Sequence, residues 1–232
     1  MLNNKFKTII HTLSLMLAII LVAGCFAGCG EKWEEVEISE TSSKEKTTED
    51  LAESKGFTTE YTATDHVAIE VQDYGTIKVA LDANKAPITV KNFKKLVSSG
   101  FYDGLTFHRI ISGFMMQGGD PKGNGTGGSD ENIKGEFSAN GVKNNLSHVR
   151  GAISMARGGY DMDSASSQFF IVHKTSESNL YSLDGNYACF GYVTEGMEIV
   201  DKICEDAKPT DNNGTIPKEN QPIITKAYII EE

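Results

Sequence analysis

The chain has 232 residues, a formal net charge of −10, and 39% hydrophobic against 23% charged residues. That length fits one ordinary domain with additions, and the apolar fraction is too high for a wholly disordered chain. The acidic balance argues against nucleic-acid binding, which runs on clustered Lys and Arg, and four cysteines are too few for a disulfide-stapled scaffold.

The averages hide an uneven chain. Lys5 and Lys7 precede an apolar run from Leu13 to Ala23, about the length of a signal-peptide core and short for a membrane span. The run closes in Val22-Ala23-Gly24-Cys25, which resembles the lipobox of bacterial lipoprotein precursors. The resemblance implies cleavage before Cys25, diacylglyceryl transfer to its thiol and further acylation such as palmitate. Two acyl chains suffice for stable anchoring where one is marginal. An ordinary secretory signal and an uncleaved anchor are the alternatives, and Phe26-Ala27-Gly28-Cys29 is a second, weaker tetrad. In each case the product leaves the cytoplasm.

From Glu31 to Glu60 the chain holds ten acids and four lysines with few apolar residues. Such a segment buries too little surface to offset its chain entropy, so it reads as a disordered acidic linker. A short transient helix fits around Thr48–Lys55. Trp33, the sole tryptophan, lies in this linker. The organisation expected is therefore a leader over 1–24, a linker over 25–62 and one domain over 63–232.

In the domain, His66–Val71 and Thr76–Leu81 alternate apolar and polar residues around Asp73-Tyr74-Gly75, a hairpin signal. Pro87 opens a helix whose inner face carries Val90, Phe93, Leu96 and Val97, and Gly100 suits its end. Short strands are predicted at Thr106–Ile111, Phe114–Gln117, Ala152–Met155, Gln168–Val172 and Ala188–Val193. A second helix runs from Glu195 to about Cys204, with Met197, Val200, Ile203 and Cys204 inward, and Ile223–Ile230 closes the chain as a strand. Many short strands and two good helices point to a closed antiparallel barrel capped by helices.

The densest cluster, FYDGLTFHRIISGFMMQGGDPKGNGTGG over 101–128, resembles the signature of cyclophilin-type peptidyl-prolyl isomerases. Four further blocks follow in that family's order: Gly151–Ala156, Ser166–Ile171, Leu183-Asp184-Gly185, and Phe190-Gly191 with Glu195-Gly196-Met197. The resemblance spans about His66 to Ile230. It implies a mainly β fold, a closed eight-stranded antiparallel barrel capped by two α-helices.

It also implies the site. Arg109 and Gln117 match the catalytic arginine and the glutamine that binds substrate backbone and steadies it. Phe114, Met115, Phe170 and Leu183 match the proline pocket, and Ala156 and Arg157 match the segment that pairs with extended substrate. Phe107 belongs in the core. Rotation about an X–Pro bond makes and breaks no covalent bond, so neither cofactor nor metal is expected.

Three positions depart from many eukaryotic members: Ser182 where they carry Trp, Tyr187 where they carry a pocket His, and Arg157 in place of Asn. Tyr187 still offers an apolar wall with a polar tip. The glycine-rich stretches Gly118-Gly119-Asp120 and Gly123–Gly128 lack the Walker Lys-Ser/Thr and read as connecting loops. Cys189 and Cys204 sit in apolar surroundings and read as buried. The function expected is isomerisation of X–Pro bonds in exported proteins by a monomer, lipid-anchored on the extracytoplasmic face of a bacterial membrane. A membrane-tethered module that binds proline segments, with incidental turnover, is the alternative.

Overall fold

A computed structural model describes residues 47–231 of the chain. The expected leader, Cys25, Cys29 and Trp33 lie outside the described residues. Eight strands form one antiparallel sheet in the order β3-β4-β6-β5-β7-β2-β1-β8. They are β1 (Asp65–Val71), β2 (Gly75–Leu81), β3 (Thr106–Ile111), β4 (Met115–Asp120), β5 (Ala152–Met155), β6 (Phe169–Val172), β7 (Cys189–Glu195) and β8 (Ile224–Ile230). β3 and β8 end the ladder. In place of a full strand pair between them, Gly104 N–H donates to the Ile224 carbonyl at 2.7 Å, Ile224 N–H to Leu105 at 2.8 Å and Phe107 N–H to Pro222 at 3.0 Å.

The β1–β2 hairpin turns where expected, with Val71 opposite Gly75 and Asp73 at φ 63°. The first long helix, Pro87–Ser98, starts on its proline and ends as the sequence requires. Gly100, at φ 71°, and Phe101 donate back to Val97 at 3.0 Å and Leu96 at 3.0 Å, satisfying carbonyls that the helix leaves open. Its N-terminus has a partner that no local pattern announces. The buried Glu136 carboxylate accepts the N–H groups of Ile88 at 3.0 Å and Thr89 at 2.7 Å, a negative charge where the helix dipole favours one. The second expected helix runs over Met197–Asp206 and buries Val200, Ile203 and Cys204.

The glycine-rich stretch 118–120 is not a loop. It completes β4, because these glycines let other groups come close. A Cβ on Gly118 would lie 2.8 Å from the Phe107 ring, and one on Gly119 would lie 2.6 Å from the Ser167 carbonyl. Glycine in a strand often marks such an approach.

Residues 47–62, assigned to the linker from composition, are folded against the domain. Helix α1 (Thr48–Glu53) starts with a capping box. Asp50 N–H donates to Thr47 Oγ1 at 3.2 Å, and Thr47 N–H to Asp50 Oδ2 at 2.9 Å. Ala52 is fully buried, and Thr58 exchanges backbone hydrogen bonds with the 145–147 segment. The charged window masked this, because the capping box and a few apolar contacts decide the outcome rather than mean polarity. With α1 counted, the helices Pro87–Ser98, Glu177–Leu183 and Met197–Asp206 are α2, α3 and α4.

Adjacent residues on the strands serve two interiors, since successive side chains point to opposite faces. Phe169 and Met116 enter the main core, where α2 delivers Phe93. The Phe93 ring lies 5.5 Å from Phe169 and 5.2 Å from Tyr102 and Phe190. Phe170 and Met115 face the other way into a smaller cluster with Leu146, Val172, Leu183 and Cys189. Phe107 is fully buried in the main core, as expected.

Placing a carboxylate at position 52 strands a charge in a closed contact. Ala52→Asp is expected to cost about 1–3 kcal/mol in denaturant unfolding of the chain, whereas an unchanged midpoint would show that α1 contributes nothing to the domain.

Candidate active site

The smaller apolar cluster opens to solvent at the β3–β4 hairpin. Arg109 on β3 and Gln117 on β4 are paired across the ladder, so their side chains emerge side by side. Arg109 Nη1 donates to Gln117 Oε1 at 3.2 Å, and Arg109 Nε donates to the Asn213 carbonyl at 2.7 Å. Arg109 Nη2 lies 3.5 Å from Asn213 Oδ1. Gln117 Nε2 donates in turn to Gln168 Oε1 at 2.9 Å, and Gln168 Nε2 to the Gly127 carbonyl at 2.7 Å. A guanidinium has five N–H donors. The second Nη1 hydrogen meets only the weak acceptor Met115 Sδ, at 3.8 Å, and at least one hydrogen on Nη2 has no partner, so donors remain for a ligand. Partial burial lowers the Arg109 pKa from its ordinary value, with Tyr187 and Asp211 opposing the shift. The group nevertheless stays charged in any ordinary buffer.

A cavity of about 280 Å³ lies beside this guanidinium. Met115, Phe170 and Leu183 form its buried apolar floor, and Phe114 and Tyr187 flank the mouth half-buried. Gln117, Ala156 and Arg157 complete the rim. All nine residues expected at the site therefore meet around one cavity, with exposed Ser182 as the additional lining residue. Phe170 and Tyr187 meet edge to face at 6.0 Å and 84°.

Behind the floor lies a polar network that the sequence pattern did not reveal. The His148 ring stacks on Phe170 at 6.0 Å and 18°. His148 Nδ1 lies 2.8 Å from Asp184 Oδ1, and Nε2 lies 2.9 Å from Ser154 Oγ. Asp184 also accepts the His148 backbone N–H at 2.7 Å and the Ser147 hydroxyl at 2.9 Å. Since a carboxylate only accepts, Nδ1 is the donor of that pair. Asp, His and Ser in this order resemble a nucleophilic triad. Ser154 and His148 are both 0% exposed, however, so no acyl group reaches the hydroxyl. The network fixes Phe170 from behind and ties α3, through Asp184 at its end, to β5.

Arg157 does not reach freely into solvent. Its Nε donates to the Asn186 carbonyl at 3.0 Å and Nη1 to the Gly158 carbonyl at 2.9 Å. Its guanidinium carbon lies 4.8 Å from the Tyr187 ring centroid and 5.1 Å from that of Phe137. Asn213 was also missed. It sits in an exposed loop whose only local signals are polar turn residues.

A barrel-like antiparallel sheet with an arginine fixed beside an apolar slot defines a class of proteins, and the comparisons agree on it. The model of the family described as cyclophilin type peptidyl-prolyl cis-trans isomerase/CLD matches residues 66–229. Peptidyl-prolyl cis-trans isomerase B of Bacillus subtilis is 43% identical over 149 residues, covering 64% of this chain and 92% of that protein. Peptidyl-prolyl cis-trans isomerase A of Dickeya dadantii is 43% identical over 167 residues, covering 68% and 81%. The crystal structure of a Cryptosporidium parvum cyclophilin-type isomerase, solved in the presence of the dipeptide Ala-Pro, matches with a TM-score of 0.61 at 31% identity. It covers 72% of this chain and 99% of that one. The chain belongs to the cyclophilin-type isomerase family and is a peptidyl-prolyl cis-trans isomerase (EC 5.2.1.8).

Two buried imidazoles set a pH dependence. Burial lowers the pKa of His108 against the opposing pull of Asp120, and burial lowers that of His173 against Asp201. The folded state thus favours their neutral forms. Their contribution is complete above the unfolded value of about 6.5 and is lost as pH falls through the lowered folded values. Stability to denaturant is expected to fall between pH 7 and 5, and to fall less in the double variant His108→Gln/His173→Gln. Constant stability across that range would refute the assignment.

Proposed function

We propose that the chain accelerates rotation about X–Pro bonds by seating the proline ring in the apolar cavity and offering Arg109 to the amide as it twists. The observation that carries this reading is the Arg109 guanidinium, held by Gln117 and Asn213 with donors left over at the mouth of an apolar slot. In the planar ground state the amide nitrogen shares its lone pair with the carbonyl, which sets a barrier of about 18–20 kcal/mol. At the twisted state conjugation is lost and that lone pair localises on nitrogen. A donor fixed within reach then bonds the twisted amide better than the planar one, and only such differential binding raises the rate. Burial of the proline ring against Met115, Phe170 and Leu183, worth about 2 kcal/mol, holds one side of the bond. The backbone of Ala156 and Arg157 and the Gln117 side chain hold the other side, so the bond turns between two fixed ends.

No group need gain or lose a proton in this scheme. The rate should therefore vary little between about pH 6 and 8. That a C. parvum relative was solved in the presence of Ala-Pro supports a proline-containing ligand here. The apolar leader and the Ala23-Gly24-Cys25 sequence support lipid attachment at Cys25 and work outside the cytoplasm on exported proteins. Mass spectrometry of the processed chain is expected to find acylated Cys25 at its start. An unmodified N-terminus at any other residue contradicts that part.

In a protease-free assay on a proline peptide, Arg109→Ala is expected to lower kcat/KM by about 100-fold. Undiminished activity would remove Arg109 from the mechanism. It would favour a module whose groove binds proline segments and whose turnover is incidental.

A further inference from the structure

A second cavity of about 280 Å³ adjoins the first and shares with it a wall made of Gln117, Ala156 and Arg157. A polypeptide whose proline fills the first cavity and whose chain continues into the second must pass these three residues. Only one of them is charged.

The charge is uncompensated. No carboxylate lies within 4.0 Å of the Arg157 nitrogens among the described residues. The acids on the neighbouring loop, Asp161 and Asp163, line neither cavity. Asp163 Oδ1 accepts from Gly135 N–H at 2.9 Å and Asn140 Nδ2 at 2.7 Å, and Asp161 Oδ1 accepts from Asp163 N–H at 2.9 Å. Arg109, the other cation of the groove, likewise has no carboxylate within 4.0 Å among the described residues, although Asp211 acts on it at longer range. Asp211, which acts on it electrostatically, spends its oxygens on the backbone N–H groups of Asn213 and Thr215 and on the Thr215 hydroxyl. A chain of net charge −10 thus presents a binding groove whose lining charges are both positive.

Arg157 is also oriented in advance. Two carbonyls take its Nε and one Nη1 hydrogen, and Tyr187 and Phe137 hold its plane. Three N–H donors remain, Nη2 among them. A planar fork fixed beforehand loses little entropy on meeting a carboxylate.

We infer that Arg157 is a specificity-determining residue, selecting substrates that carry an Asp or Glu side chain within two residues of the proline and disfavouring Lys there. This deepens the reading of the first cavity as the proline site and rests on it. A carboxylate at a solvated rim gains modestly and a lysine loses, so a Glu peptide should exceed its Lys counterpart by about fivefold in kcat/KM at low ionic strength. In about 0.5 M salt the difference should collapse.

The test uses peptides identical except for Glu, Gln or Lys at each of the two positions on either side of the proline. They are assayed with the wild-type chain, Arg157→Gln and Arg157→Lys. The readout is the Glu-to-Lys ratio within each protein, so a general loss of rate in a variant does not enter it. A salt-sensitive preference at one or more positions, erased in Arg157→Gln and partly kept in Arg157→Lys, is the expected result. A ratio that is the same in wild type and Arg157→Gln overturns the inference and leaves Arg157 as a brace for Tyr187. The salt dependence of the wild-type ratio needs no variant, and a ratio near one at low salt overturns the inference by itself. Failure of the wild-type chain to turn over even the Gln peptides overturns the isomerase reading together with it.

Discussion

The site depends on keeping a charged guanidinium at the edge of an apolar slot. Water would solvate Arg109 better than the protein does, and burial accordingly lowers its pKa. The position holds because the Asn213 carbonyl and the Gln117 side chain replace part of the lost hydration without neutralising the charge. A carboxylate partner would have compensated the burial more fully, but it would have drawn the donors away from the substrate. Neutral acceptors leave the cation available, and the register of β3 on β4, with Arg109 opposite Gln117, puts one of them in place.

The apolar half of the site follows from strand alternation. Phe169 and Phe170 are neighbours in the chain, as are Met116 and Met115, yet one of each pair builds the main core and the other floors the cavity. A slip of one residue in β4 or β6 would exchange these roles, so the core that stabilises the sheet also fixes the slot. The buried Asp184–His148–Ser154 network backs Phe170 from behind and spans α3 and β5. Low dielectric makes a fully satisfied network of this kind stiff and makes any vacancy in it costly. The slot can therefore stay open to solvent while its floor does not move into it.

Each predicted strand is present within a few residues. Alternation marked the first two, His66–Val71 and Thr76–Leu81, whereas β5 and β6 are buried along their whole length and were legible as short apolar runs between polar connectors. α2 was equally clear, with Pro87 and Gly100 marking its ends. What escaped depends on distance in the chain. Glu136 caps a helix that begins 49 residues earlier in sequence, at Pro87, and no window reading joins the two. Helix α3 (Glu177–Leu183) buries only Leu180 and Leu183, too few apolar residues to show a period. Gly118 and Gly119 read as loop residues until Phe107 and the Ser167 carbonyl are seen against them. Helix α1 falls inside the short transient helix expected over Thr48–Lys55, and only its docking on the domain was hidden by the charge around it. At the site, the residues carried by the ordered motifs came together around one cavity, whereas Asn213 and His148 act through contacts that no local pattern encodes.

The proposed role of Arg109 requires that it act on the twisted amide more than on the planar one. NMR exchange measurements on an X–Pro peptide report affinity and the catalysed cis–trans rate in the same sample. With Arg109→Ala, the account predicts a catalysed rate that falls far more than affinity, which should change by less than about tenfold. Affinity and rate falling in step, or a rate that survives the substitution, would contradict it.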